Sequence, residues 1–147
     1  MDSWFRPLSH LMFRSMYGAW VWTTYYKTLF PSKLPDDFET ELEILKKHLS
    51  VQPRNIVNVG AFVRAGKATV ASTLDDLGKC QTLPVLAFFG RKDPDYADVD
   101  SEIKWFTTAV PHAQCFEDAD GGHYPHLENP ELVVKALEDI LGSAGLQ

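Results

Sequence analysis

Apolar positions along the chain change rhythm near its middle. From Asp36 to Leu49, the residues Phe38, Leu42, Leu45 and Leu49 recur at the spacing of one helical face. Glu41, Glu43, Lys46 and Lys47 mostly fill the opposite face, so an amphipathic helix is predicted. Pro35 precedes it, and Asp36 with Glu39 three residues on has the form of a capping box. A second helix is predicted over 55–65, with Ile56, Val59, Phe62 and Val63 on one side and Pro53 just before its start. Further along, Pro84 to Gly90 is a continuous apolar run ended by glycine, the signature of a strand buried on both faces. Asp100 to Ala109 follows as a helix with Ile103, Trp105 and Phe106 apolar, and Ala113 to Ala119 has the length of a second strand. Asn129 as cap and Pro130 in the first turn open a last helix that runs to Leu141. Its expected buried stripe is Val133, Val134, Leu137, Ile140 and Leu141, with Gly142 as its stop. Strand–helix–strand–helix predicts an α/β fold containing a right-handed βαβ unit with parallel strands.

Two unlike regions result, a helical one over residues 1–75 and an α/β one over 76–147. Residues 1–30 are predicted to hold one or two helices that stop near Pro31, and they carry nine aromatic residues. Two readings fit these aromatics. They form a core-facing stripe, or Trp20, Trp22, Tyr25 and Tyr26 wall an apolar ligand pocket.

The 147 residues are 45% hydrophobic, 23% charged and 12% aromatic, which are globular values and exclude disorder as the main description. A net charge of -6 argues against nucleic-acid binding, which rests on neutralising phosphates. Charge is uneven: residues 84–131 hold ten acids against three bases. The longest uncharged run near the start, Ser15 to Tyr26, is well short of the roughly 20 apolar residues a bilayer requires, so no membrane partner is expected. Cys80 and Cys115 are too few for a disulfide scaffold, and a reduced, cytoplasmic protein is the expectation. No cofactor is expected.

Candidate chemistry lies in the acidic region. In open α/β sheets, ligands gather beyond the carboxyl ends of the strands. The first strand leads there into Arg91-Lys92-Asp93-Pro94-Asp95, and the second into Asp120-Gly121-Gly122-His123-Tyr124-Pro125-His126. If the strands are parallel neighbours, Asp93 and His123 share one edge of the sheet. The carboxylate would fix the imidazole tautomer and stabilise imidazolium, and the other ring nitrogen would act as general base.

The segments Pro84–Gly90 with Asp93, Gly121–His126, and Glu128-Asn129-Pro130-Glu131 together resemble the C-terminal part of the α/β-hydrolase superfamily. They match its penultimate core strand and acid loop, its histidine loop and its last helix, with the acid before the histidine. The resemblance is strong from 84 to 141 and loose before it. It implies a partial α/β-hydrolase fold with a helical cap over 1–75, and hydrolysis of an ester, lactone or similar bond in an apolar small molecule. It also assigns Asp93 and His123 as the catalytic acid–base pair. The pattern departs from the family at the nucleophile, because the chain contains no G-x-S-x-G elbow. The expectation is therefore a truncated or partial hydrolase whose enzymatic status is open. The alternative is a non-catalytic ligand-binding or interaction remnant of the same fold. An uncovered sheet edge would call for a homo-oligomer or a partner chain.

Other readings compete at these positions. His123 has a structural reading as a loop histidine. His123 and His126 also form an H-x-x-H pair that Asp118 or Asp120 would complete as metal ligands. Asp95 and Asp98 read as loop carboxylates, and Cys115 as a small buried hydrophobe in a strand.

Overall fold

The computed structural model describes residues 12–13, 17–51, 53–65 and 70–143. These fall into two compact units, one within 1–28 and 36–69, the other within 29–35 and 70–147. The change of character read from sequence at 75/76 thus lies a few residues earlier in space, and a short piece from the first half, 29–35, joins the second unit.

The first unit contains α1 (Gly18–Thr28), α2 (Phe38–Val51) and α3 (Pro53–Arg64). The α2 pattern folds as its spacing dictates. Phe38, Leu42 and Leu49 are buried, while Glu41, Glu43, Lys46 and Lys47 face solvent. Helix α2 begins at Phe38 rather than Asp36, which places Glu39 too early to close a box with Asp36. Its carboxylate pairs instead with Lys27 Nζ at 2.9 Å. The core of this unit is Phe13, Ala19, Leu49 and Ile56, with Trp22, Leu45 and Val59 packed against it. Trp4 and Phe5 lie outside the described residues, as do the side chains of Phe62 and Val63.

The second unit contains α4 (Ala71–Lys79), β1 (Leu86–Gly90), α5 (Val99–Ala109), β2 (Gln114–Asp118), α6 (Pro125–Glu128) and α7 (Pro130–Ser143). It is α/β. The two strands are parallel, in a register that pairs Leu86 with Gln114, Phe88 with Phe116 and Gly90 with Asp118. Asp98 caps α5, accepting from the Asp100 N–H at 3.1 Å and from Ser101 Oγ at 2.5 Å. Phe106 of α5 meets Phe89 of β1 edge-on at 6.1 Å, and Phe88 stacks on Phe116 at 5.2 Å between the strands.

Three expectations change here. Strand β1 is fully buried only at Phe89 and Gly90; Leu86, Ala87 and Phe88 are half-buried, because the sheet formed by the described residues has just two strands. Helix α4, unanticipated, has no fully buried residue; Ala71, Leu74 and Leu77 form a short, half-buried stripe at helical spacing. In α7, Ala136 is buried, but Val134, Leu137 and Leu141 are 51%, 45% and 47% exposed. Its apolar residues spread over more surface than one neighbour covers, and the helix runs through Gly142 to Ser143.

None of the described helices is long and apolar enough to cross a membrane.

Candidate functional site

Parallel pairing puts the C-terminal ends of β1 and β2 side by side, and both chemical loops leave from there. The loop after β1 stays tight through the Asp93 N–H donating to the Gly90 carbonyl (3.3 Å) and the Tyr96 N–H donating to the Asp93 carbonyl (3.3 Å). The two loops are stitched together by backbone: Arg91 N–H donates to the Asp118 carbonyl (2.8 Å), and Lys92 N–H to the Gly121 carbonyl (3.0 Å). Side chains add Lys92–Asp120 at 2.6 Å and Arg91–Asp100 at 2.6 Å, with Arg91 also pairing Glu117. A side chain at Gly90 would collide with the backbone of Gly121 and Gly122, so only glycine lets the histidine loop pass this close to the strand end.

Asp93 is buried, with 3% of its side chain exposed, and both its oxygens are used. Oδ2 lies 2.8 Å from His123 Nδ1, and Oδ1 accepts the Asp95 N–H at 2.9 Å. A carboxylate oxygen only accepts, so Nδ1 carries the hydrogen and the lone pair of the neutral ring sits on Nε2. The His123 side chain is 34% exposed, open enough to exchange protons with a bound molecule or water. Its pKa is raised from 6.5, chiefly by the hydrogen bond to Asp93; burial opposes this, and the charges of Asp93 and Asp95 assist it. Half-buried Tyr96 packs near Phe89 at 6.4 Å, and its phenol is pushed up by burial and by the charges of Asp93, Glu102 and Asp95.

The histidine loop is fixed from two further directions. Asp118 accepts the Asp120 and Gly121 N–H groups at 3.1 and 3.0 Å and the Asn129 side-chain amide at 3.0 Å. Burial works against its charge, but these donors hold its pKa below the ordinary value. Segment 29–35 presses on the loop from outside. The His123 N–H donates to the Leu29 carbonyl at 2.9 Å, Phe30 stacks on Tyr124 at 4.9 Å, and Pro31 lies where any Cβ on Gly122 would be. Buried Glu128 clamps both: one oxygen accepts the Gly122 N–H and the other the Ser32 N–H at 3.4 Å. Glu128 and segment 29–35 escape a reading of the sequence, because the contacts that define them join residues far apart in the chain.

No protein-family model, curated protein or solved structure matches this chain. The site's chemistry therefore rests on its geometry.

The predicted pair, Asp93 and His123, is brought together. The H-x-x-H alternative is not assembled: His126 is exposed and edge-on to Tyr124 at 6.0 Å, Asp118 is spent on the loop, and Asp120 on Lys92. Asp95, read as a plain loop carboxylate, places Oδ2 3.5 Å from His123 Nδ1. Burial and Glu117 push the Cys115 thiol up, away from thiolate chemistry.

The aromatic candidates belong to the first unit and divide among themselves. Trp22 packs with Phe13 at 6.2 Å and Tyr25 at 5.9 Å, and Tyr26 stacks on Phe38 at 5.9 Å. Trp20 is 60% exposed, on a groove of about 450 Å³ that Thr23, Lys27, Glu39, Leu42 and Lys46 also line.

Proposed function

We propose that the chain is a partial α/β-hydrolase-like protein in which Asp93 and His123 act as the acid–base pair, with 76–147 corresponding to the C-terminal part of the core and 1–75 to a cap. The observation that carries this is the buried Asp93 carboxylate 2.8 Å from His123 Nδ1, at the carboxyl edge of a parallel sheet. In the proposed chemistry, Nε2 of His123 takes a proton from water or from a hydroxyl nucleophile as it attacks an ester, lactone or similar bond in an apolar small molecule. Asp93 holds the tautomer and stabilises the imidazolium that forms, and the proton then passes to the leaving oxygen. Residues 1–147 contain no G-x-S-x-G, so in this reading the attacking group is water or a nucleophile from outside these residues. A partner has places to dock: each strand has one edge unpaired within the described sheet, and Val134, Leu137 and Leu141 form an exposed apolar row on α7.

The test is turnover of a p-nitrophenyl ester by the purified chain in EDTA. Hydrolysis above the buffer rate that disappears in His123→Ala supports the reading. Turnover that His123→Ala leaves unchanged overturns it.

A second reading, a non-catalytic binding protein, is favoured by exposed Trp20 on its groove. Apolar ligands should then shift tryptophan fluorescence, and Trp20→Phe should remove most of that shift. No response to any ligand of this class counts against it.

A further inference from the structure

Beyond the acid–base pair, the same edge of the sheet holds a third donor that general-base chemistry does not use. We propose that Asp93, Asp95 and His123 form a three-ligand site for a divalent cation of the zinc type, with Nδ1 of His123 as the nitrogen ligand. One donor atom from each residue lies within 4.8 Å of the other two. Zinc binds imidazole nitrogen and carboxylate oxygen at about 2.0–2.2 Å, so tetrahedral neighbours stand roughly 3.3–3.5 Å apart. Asp95 Oδ2 is already at that separation from Nδ1, at 3.5 Å. Asp93 Oδ2, now hydrogen-bonded at 2.8 Å, has to open by about half an ångström once the proton between them is replaced by the ion.

The donor set selects the ion class. One imidazole and two carboxylates suit zinc and its neighbours, whereas calcium takes six to eight oxygens, roughly, and magnesium is held through oxygens and water. The two carboxylates cancel the charge of a divalent ion. The pocket is closed behind Asp93, with 3% of its side chain exposed, and open in front, where His123 and Asp95 are 34% and 39% exposed. That provides an entry path and leaves the fourth position to water. Both sides of the ligand set are already oriented, by the Asp95 N–H on Asp93 Oδ1 and by the His123 N–H on the Leu29 carbonyl.

Binding has a chemical consequence, and this clause rests on the reading proposed above. When the ion takes Nδ1 of the neutral ring, the ring hydrogen moves from Nδ1 to Nε2. The lone pair that would act as base is gone, and the cation is an inhibitor of the site.

The experiment titrates the EDTA-treated, dialysed full chain with Zn2+ by calorimetry and with Co2+ by visible absorption. One ion per chain is expected, with the intense bands of tetrahedral cobalt. Asp95→Asn should weaken Zn2+ binding by at least about tenfold while the thermal midpoint stays near wild type, and His123→Ala should abolish the cobalt bands. Equal Zn2+ affinity in wild type and Asp95→Asn overturns the proposal, as does absence of binding at millimolar Zn2+. Ester turnover measured in EDTA separates the two readings. Site-specific binding without turnover supports the metal site and counts against water as the attacking group, and turnover without binding sinks the metal site alone.

Discussion

The edge of the sheet and the aromatic first unit contain similar amounts of suggestive side chain, but they organise it differently. At the sheet edge, Asp93 and His123 sit on short loops whose backbones are tied to the strand ends, to each other and to segment 29–35. Both oxygens of the buried carboxylate have fixed partners, Asp93 Oδ2 on Nδ1 and Oδ1 on the Asp95 N–H. In the first unit, Trp22 goes to the core, Tyr26 to a stack on Phe38, and Trp20 to solvent. Backbone hydrogen bonds thus converge on the loops of Asp93 and His123, which lie 30 residues apart, and hold the pair together. A helix distributes neighbouring residues around its circumference and separates them.

The sharpest way to break this contrast is to neutralise the orienting acid. Asp93→Asn should lower any ester turnover by about 10²–10⁴-fold, measured as kcat/KM at neutral pH, because the ring loses its tautomer and its imidazolium partner. The analogous change in the aromatic set should affect folding rather than chemistry. Trp22→Ala should cost about 3–5 kcal/mol by urea denaturation if its packing on Phe13 and Tyr25 matters as a core contact does. Next in size is the clamp. Glu128→Ala leaves two N–H groups, those of Gly122 and Ser32, without their acceptor. A loss of about 1–3 kcal/mol is expected, together with faster amide exchange at Gly122 and His123.

A smaller effect should appear with pH. The fold raises the His123 pKa above the 6.5 of the unfolded chain, so it favours the protonated ring. That contribution to stability is fully present below 6.5 and is lost as pH rises through the folded value. In EDTA, the stability difference between wild type and His123→Ala should therefore shrink over that window. Any base-dependent rate should rise over the same window, with a midpoint above 6.5 that moves down in Asp93→Asn. Least affected of all should be Trp20→Ala, at 60% exposure, which should change stability by no more than about 0.5 kcal/mol. A larger loss would show that the groove residue is structural.

The parts legible in advance share one property: their signals are local. Phe38, Leu42 and Leu49 recur along one helix face, and that face is buried. The apolar run ending at Gly90 is a strand, and Asn129 receives the Leu132 N–H at 3.3 Å as a cap should. Two parallel strands then bring Asp93 beside His123, 30 residues apart in the chain, because the strands end at one edge. The parts that were not legible depend on partners distant in sequence. Glu128 looks like a surface acid until Ser32, 96 residues away, and Gly122 converge on it. Val134, Leu137 and Leu141 read as a buried stripe by periodicity, yet periodicity cannot say whether a neighbour exists to cover them.

The sequence alone therefore determined the order and type of most elements, the two loops that meet at the edge of the sheet, and the absence of a G-x-S-x-G motif from residues 1–147. Only the tertiary structure decided that Nδ1 is the ring nitrogen facing Asp93, that Asp95 stands 3.5 Å from the same nitrogen, and that a buried glutamate locks the loop to segment 29–35. The physical reason is range. Propensity and periodicity act over a few residues, whereas the desolvation of a carboxylate and the hydrogen bonds that offset it are set by whichever distant backbone the fold brings near.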